Sequence, residues 1–370
     1  MESPTLTNLR TEIVTDSAAF ERLAPEWRKL AAASRYATVF QTYEWTATWW
    51  RHFGRGRRLR VVVVRDARGA LAGIFPLMLS RWYATPFRRL SLIGTGGTDY
   101  LDIIVDDTRL ADVVDAAMAA LENDRSWHVL DLPQLRDGGA LRSAQRPAIV
   151  RRVSAGETCP YVPLPADWAE FLKSLGKKTR ANVGYYERNL GRLFEAEVGY
   201  VQDPDRLDAE MTALFELHQR RWNKRWLPGV FGAPVVQRFH RDLAKALLDS
   251  GNLRLFTIRL DGETQAVLYC FSYGDRFSYY QGGFEPTFAR HSLGTVATAA
   301  ALREAIAEGK GVFDFLRGDE PYKSKWTSHH VNNERWLGWR PGFLGLWVRA
   351  THSTEERIES AAKRAARKLR

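Results

Sequence analysis

The residues best placed to do chemistry lie where an aromatic run, Tyr279-Tyr280, passes through Gly282-Gly283 into Arg290-His291-Ser292-Leu293-Gly294-Thr295. An alanine-rich segment with Leu302 and Ile306 at helical spacing follows. A helix start leaves backbone N–H groups unpaired and carries partial positive charge, so a diphosphate could be held there with little help from side chains. Gly294 would let phosphates approach the backbone, and Arg290 would add a formal charge. The same residues also read as a capped core helix after a β-turn. The turn has neither the Gly-Lys-Ser/Thr ending of a nucleoside triphosphate loop nor the GxGxxG spacing of a dinucleotide fold.

Other candidates are scattered. Asp99 follows the glycine-rich turn Gly94-Thr95-Gly96-Gly97-Thr98; in a cleft it could bind or deprotonate an acceptor, and on a turn it could simply stabilise the bend. Asp319 and Glu320 stand beside Arg317 and Lys323, either as a substrate site or as a self-neutralising cluster. Tyr280 and Gln281, with Arg317 and Lys323, are candidate substrate contacts. His218 and His240 fall on helical segments and read as packed or surface residues. His329-His330 lacks spaced ligands, so no metal site is expected. Cys159 and Cys270 read as buried small hydrophobes, and with no GxSxG elbow a covalent intermediate is not expected.

These residues need elements to hold them. In the first half, helices are expected over 20–33, 42–53 and 110–122, and strands over 59–64, 71–79, 90–93, 101–105 and 129–132, with Asp66-Ala67-Arg68-Gly69 as a hairpin turn. Asp137-Gly138-Gly139 and the proline-bearing stretch 155–165 suggest weaker organisation and a boundary. In the second half, one long basic helix is expected over 168–190, followed by helices over 207–226 and 235–250. Strands over 253–260, 265–273 and 277–281 come next, the first two joined at Asp261-Gly262-Glu263. The run 312–316 then completes a β-α-β unit, whose ligand site should sit at the carboxyl ends of its strands. The expected fold is α/β, a mixed and mostly antiparallel sheet flanked by helices in each half. The divisions are 1–160, 161–345 and a basic helical tail, 346–370.

With 370 residues the chain can build two cores, and 45% hydrophobic and 12% aromatic residues suffice to fill them. Trp45, Trp49, Trp222 and Trp226 read as core and interface packing rather than a sugar platform. The net charge of +11 favours anionic ligands without choosing among coenzyme A, acidic glycans, lipid headgroups and nucleic acid. Lys173, Lys177, Lys178, Arg180, Arg188 and Arg192 would form a solvated basic face or an acceptor or RNA contact. No motif for sequence-specific nucleic-acid binding is present. The tail could lie on an anionic membrane surface or be a solvated helix. The first residues lack an apolar signal core and no run reaches the ~20 apolar residues of a membrane span. The expected location is cytoplasmic, with the inner membrane surface as a peripheral option.

Several segments form a set: Gln41-Thr42-Tyr43-Glu44-Trp45 with Trp49-Trp50, Gly94-Thr95-Gly96-Gly97-Thr98-Asp99-Tyr100-Leu101-Asp102, Lys177-Lys178-Thr179-Arg180 and His218-Gln219-Arg220-Arg221-Trp222. Tyr280-Gln281-Gly282-Gly283-Phe284, Ser292-Leu293-Gly294 and Asp314-Phe315-Leu316-Arg317-Gly318-Asp319-Glu320-Pro321-Tyr322-Lys323 complete it. On these segments the chain resembles the CelD/BcsL-like branch of the GNAT N-acyltransferases, related in fold to the FemABX aminoacyltransferases. The resemblance implies tandem GNAT-like domains, the first without a cofactor, and binding of the pyrophosphate of acetyl-coenzyme A or another acyl-coenzyme A by residues 290–295. His291 stands where Arg or Gln is usual in that pattern, and Val296 replaces its last small residue. The implied reaction is direct acyl transfer to an amine or hydroxyl of an amino sugar or a polysaccharide or envelope precursor. Glu285 and Asp99 are the candidate bases, Tyr322 the candidate acid for the departing thiolate, and Asp319 a further candidate. Aminoacyl transfer from tRNA of the FemABX type and a non-catalytic scaffold in a polysaccharide-synthesis complex are the alternatives.

Overall fold

The computed structural model describes residues 9–82, 85–223 and 229–340; the basic tail and Trp226 lie outside them, as does the side chain of Trp222. The strands in chain order are β1 (Arg10–Val14), β2 (Arg58–Arg65), β3 (Leu71–Arg81), β4 (Arg88–Leu92), β5 (Ile104–Val105), β6 (Val129–Leu135) and β7 (Val150–Pro163). They continue with β8 (Ala196–Tyr200), β9 (Leu253–Leu260), β10 (Glu263–Tyr273), β11 (Arg276–Phe284), β12 (Val312–Asp314) and β13 (His330–Trp339). All belong to one 13-stranded mixed sheet, ordered β1-β2-β3-β4-β6-β13-β7-β12-β11-β10-β9-β8, with β5 paired to β3.

Local chemistry explains most of these elements. β2 and β3 are apolar on both faces because helices cover them, so the period-2 signal is replaced by continuous burial. Asp261 and Gly262 take φ of 52° and 85°, the pair of positive values that a two-residue hairpin needs between β9 and β10. Thr42 caps the Tyr43–Phe53 helix by accepting from the Trp45 amide. Two expected helices are each broken in two. Residues 17–33 form Ser17–Arg22 and Ala24–Ala33, parted at Leu23 with Pro25 in the first turn of the second. The basic stretch forms Trp168–Ser174 and Lys177–Leu193, parted where Leu175 is extended.

The β-α-β unit is present: β11 leads through the Leu293–Ala307 helix to β12, and the two strands pair in parallel. Gly282 and Gly283 do not end β11, which runs on to Phe284. Gly283 is where the Pro204–Asn223 helix presses onto the strand, since a Cβ there would lie 2.7 Å from the His218 amide nitrogen.

The strands that sequence patterning does not reveal are β1, β7, β8 and β13. Two of them carry the architecture. β13 pairs with β6 on one side and β7 on the other, and β7 pairs with β12, so the sheet runs unbroken from one half of the chain to the other. A buried Asp131 on β6 accepts from Arg335 of β13 at 2.8 and 3.0 Å, fixing that junction with a bidentate ion pair. In the second half the Lys177–Leu193 and Leu293–Ala307 helices pack on one side of the sheet, with Tyr279 and Phe315 in their core. Tyr43–Phe53, Pro204–Asn223 and Pro234–Asp249 share a second core with Phe271, Leu316 and Tyr280.

Candidate active site

β11 and β12 pair only over Arg276–Val312, Phe277–Phe313 and Ser278–Asp314. Beyond that point β11 continues to Phe284 against β10 alone, while the other chain turns away through Phe315 and Leu316. The strands therefore part at their carboxyl ends. Successive side chains point to opposite faces, so Tyr279 and Phe315 border one side of the parting, with Tyr322 packed on both rings at 6.1 and 6.3 Å. Tyr280 borders the other.

On Tyr280's side lies the cluster from the glycine-rich turn. Tyr280 donates its hydroxyl to the Gly97 carbonyl at 2.9 Å, and Arg317 Nη2 reaches Gly96 O at 3.4 Å. Arg317 Nε lies 2.8 Å from Oδ1 of Asp99, which is buried. Burial pushes the Asp99 carboxyl up to about 6, against the opposing pull of Arg317. A carboxylate with that pKa can exchange a proton near neutrality. Gln134 fits between the Thr98 carbonyl and the Arg317 guanidinium once its amide is oriented to donate to the first and accept from the second.

Backbone strain gathers here. Tyr100, Gln134 and Leu316 all have positive φ, at 48°, 62° and 56°. Each adjoins or contacts the Asp99–Arg317 pair, and such conformations in residues with a Cβ cost about 1–3 kcal/mol each. Hydrogen bonds over-determine them: Tyr100 donates to Asp314 Oδ1 at 2.9 Å, and the same oxygen accepts from the Leu316 amide at 2.7 Å. Nothing in the local sequence marks Gln134 or Leu316 as left-handed, so patterning passes over them.

The helix start after β11 is open in one respect and packed in another. Ser292 is left-handed, with φ of 51°, and its side chain does not cap the Leu293–Ala307 helix. Ser292, Gly294 and Thr295 are partly exposed, whereas Leu293 and His291 are buried. His291 sits between Phe194 and Phe288 and accepts through Nε2 from Arg290 Nε at 2.9 Å. Arg290 itself is exposed beside the turn.

The remaining candidates take other places. Glu285 is a cap: it accepts from the Thr287 amide and hydroxyl at 3.1 and 2.9 Å and pairs with Arg220 at 2.7 Å. Partial burial would raise its pKa, but those hydrogen bonds and the cation outweigh it and hold the carboxyl below its usual range, which makes it a weak base. Lys323 is buried and spends its ammonium on the loop, donating to the Arg317 and Gly318 carbonyls at 3.1 Å each and pairing with Glu320 at 2.9 Å. It shapes the turn that presents Arg317. The expected cluster thus divides, Arg317 going to Asp99 and Lys323 to Glu320, with Asp319 exposed to solvent. Gln281 is half-buried in register with Tyr269.

Both cysteines are buried free thiols, and burial pushes Cys159 up to about 12. Trp45 is fully buried in the core and Trp49 nearly so. Among the described residues no group of three or more His, Cys, Asp or Glu is placed to hold a metal, and no helix is long and apolar enough to cross a membrane.

Residues 177–324 match the acetyltransferase (GNAT) domain family. Among solved structures, FemX aligns with a TM-score of 0.62 at 11% identity, covering 90% of this chain and 97% of that one. L-PGS from Bacillus licheniformis aligns with a TM-score of 0.51 at 11% identity, covering 91% and 96%. The C-terminal domain (DUF2156) of a putative lysylphosphatidylglycerol synthetase from Agrobacterium fabrum aligns at 0.51 and 13%, covering 90% and 96%. No curated protein matches the chain. The chain has a mixed α/β fold that it shares with these structures, and its segment 177–324 carries the match to the acetyltransferase (GNAT) domain family.

Proposed function

We propose that the protein transfers an acyl group from acyl-coenzyme A directly to an amine or hydroxyl of a small acceptor, at the parting of β11 and β12. The observation that carries this reading is the parting of β11 and β12, which leaves a stretch of β11 edge unpartnered; an uncapped helix start follows β11 in the chain, and a buried Asp99 held by Arg317 lies on Tyr280's side.

Each part has a task. The β11 edge from Tyr279 onward offers main-chain groups to an extended, amide-bearing donor such as the pantetheine arm. The amides of Ser292 and Thr295 are already held by the Ala289 and Ser292 carbonyls, so those of Leu293 and Gly294 take the diphosphate, and Arg290 adds charge at the rim. On the opposite side Asp99 takes the proton from the acceptor as its lone pair attacks the thioester carbonyl. The tetrahedral intermediate collapses with cleavage of the C–S bond, and Tyr322 gives a proton to the departing thiolate. Arg317 keeps Asp99 oriented and limits the rise of its pKa. The elevated Cys159 thiol supports transfer without an acyl-enzyme.

Acetyl-coenzyme A is the simplest donor, and the resemblance to the CelD/BcsL branch supports an amino-sugar or envelope-precursor acceptor. Division into two GNAT-like units, with the donor in the second, belongs to the same proposal. A second reading, aminoacyl transfer of the FemABX type, is favoured by the similarity to FemX and by the exposed Lys177, Lys178, Arg180, Arg188 and Arg192. Thermal shift with acetyl-coenzyme A, longer acyl-coenzyme A and aminoacyl-tRNA separates them. Selective stabilisation by a coenzyme A thioester is expected; a shift with tRNA alone would transfer the assignment to the second reading.

A further inference from the structure

Beside Tyr280, on the side of Asp99, a chamber of about 300 Å³ opens between the Tyr43–Phe53 helix, the glycine-rich turn and the Pro234–Asp249 helix. Its walls are largely aromatic: Trp49, Phe53, Phe239 and Tyr280. Two nitrogen-bearing side chains interrupt that surface. His240 is 2% exposed, and its Nδ1 has no hydrogen-bond partner among the described residues. Burial pushes its pKa down to about 3, so the ring is neutral at physiological pH. Arg57 lies near the face of Trp49, at 5.5 Å from the ring centroid, and its buried Nε likewise has no partner among the described residues. Arg57 donates to the Phe53 carbonyl, but no carboxylate pairs with it among the described ion pairs. The guanidinium is half-buried with its Nε shut away from solvent, which costs free energy in the absence of a carboxylate, and an arriving anion would offset that cost.

We propose that this chamber is the acceptor's binding site and that the acceptor is amphipathic, an apolar or aromatic body carrying a carboxylate or phosphate that pairs with Arg57. The assignment rests on the acyl-transfer reading, because Tyr280 joins the chamber wall to Gly97, two residues before Asp99. The volume accommodates roughly ten non-hydrogen atoms, at about 30 Å³ for each water-sized group. A neutral His240 supplies one further polar contact without opposing the ligand's charge. The aromatic walls lower the local polarity around Arg57, which strengthens an ion pair there relative to open water.

Isothermal titration of the 370-residue chain with octanoate, octyl phosphate, octylammonium and octyl glucoside tests the assignment. Octanoate and octyl phosphate are expected to bind, and the cationic and neutral probes to bind at least tenfold more weakly. The stronger of the two anions identifies the headgroup. Arg57→Gln should remove the preference for anions, at a loss of about tenfold or more. Val236→Phe, which fills the chamber from the Pro234–Asp249 helix, should abolish binding of every probe while the circular dichroism stays native. Equal binding of all four probes, or anion binding that survives both substitutions, overturns the proposal. A parallel titration with acetyl-coenzyme A keeps the two readings apart. Donor binding without anion binding rejects this inference alone; anion binding without donor binding rejects the acyl-coenzyme A reading and leaves the chamber standing.

Discussion

Two aspartates three positions apart, both raised to about 6 by burial, do different work. Both are buried, but Asp99 has a cation beside it in Arg317, whereas Asp102 accepts from the Ile103 and Leu141 amides at 2.8 and 3.1 Å. As base, Asp99 must be ionised, so kcat/KM should rise with pH through about 6 and level off above it. Asp99→Asn should lower kcat by about 10²–10⁴ and erase that limb; a pH–rate profile checks both. For Asp102 the sign runs through stability. Its folded pKa lies above its unfolded value, so its contribution is whole below about pH 4 and is lost as pH rises through about 6. Asp102→Asn should flatten that decline, a difference on the order of 2–3 kcal/mol at pH 7 in urea titrations. The sequence makes Asp99 visible through the turn before it, and Ser292–Gly294 through the glycine after a strand. It hides Gln134, Arg57 and His240, because each matters through partners distant in the chain.

At the scale of elements, the β-α-β unit and the antiparallel strands before it are legible because apolar runs alternate with Gly and Asp turns. Helix breaks at Leu23 and Leu175 are harder to see, since apolar spacing continues across them. Strands such as β7 and β8 escape notice because much of their surface is exposed, with polar residues on both faces. Close packing within the unit makes Gly283 its most sensitive point. Gly283→Val would drive a side chain into the His218 backbone, and a loss of about 1–3 kcal/mol in chemical denaturation is expected. Gly294 differs. It does not have positive φ, and a Cβ there would meet the Phe284 ring at 3.4 Å, near ordinary contact, so a side chain can be added without unfolding the helix.

Across the whole molecule, the arrangement depends on β13 returning from the end of the described chain to lie between β6 and β7. A fragment of residues 1–160 therefore lacks the strand that covers the β6 edge and the bidentate partner of Asp131, keeping only Arg89 at 3.5 Å. It should fail to show a cooperative thermal transition, whereas the full chain should show one; differential scanning calorimetry of both decides it. The long return connection is what local patterning cannot anticipate, and it brings Asp99 from one half beside Arg317 from the other. Donor binding at the Ser292 bend is the claim on which the chemistry rests. Isothermal titration of acetyl-coenzyme A into the native protein and Gly294→Glu tests it most directly. The expected result is one site per chain in the native protein and at least tenfold weaker binding in a folded variant, because a carboxylate would face the diphosphate. Equal affinity in the two proteins would contradict the account.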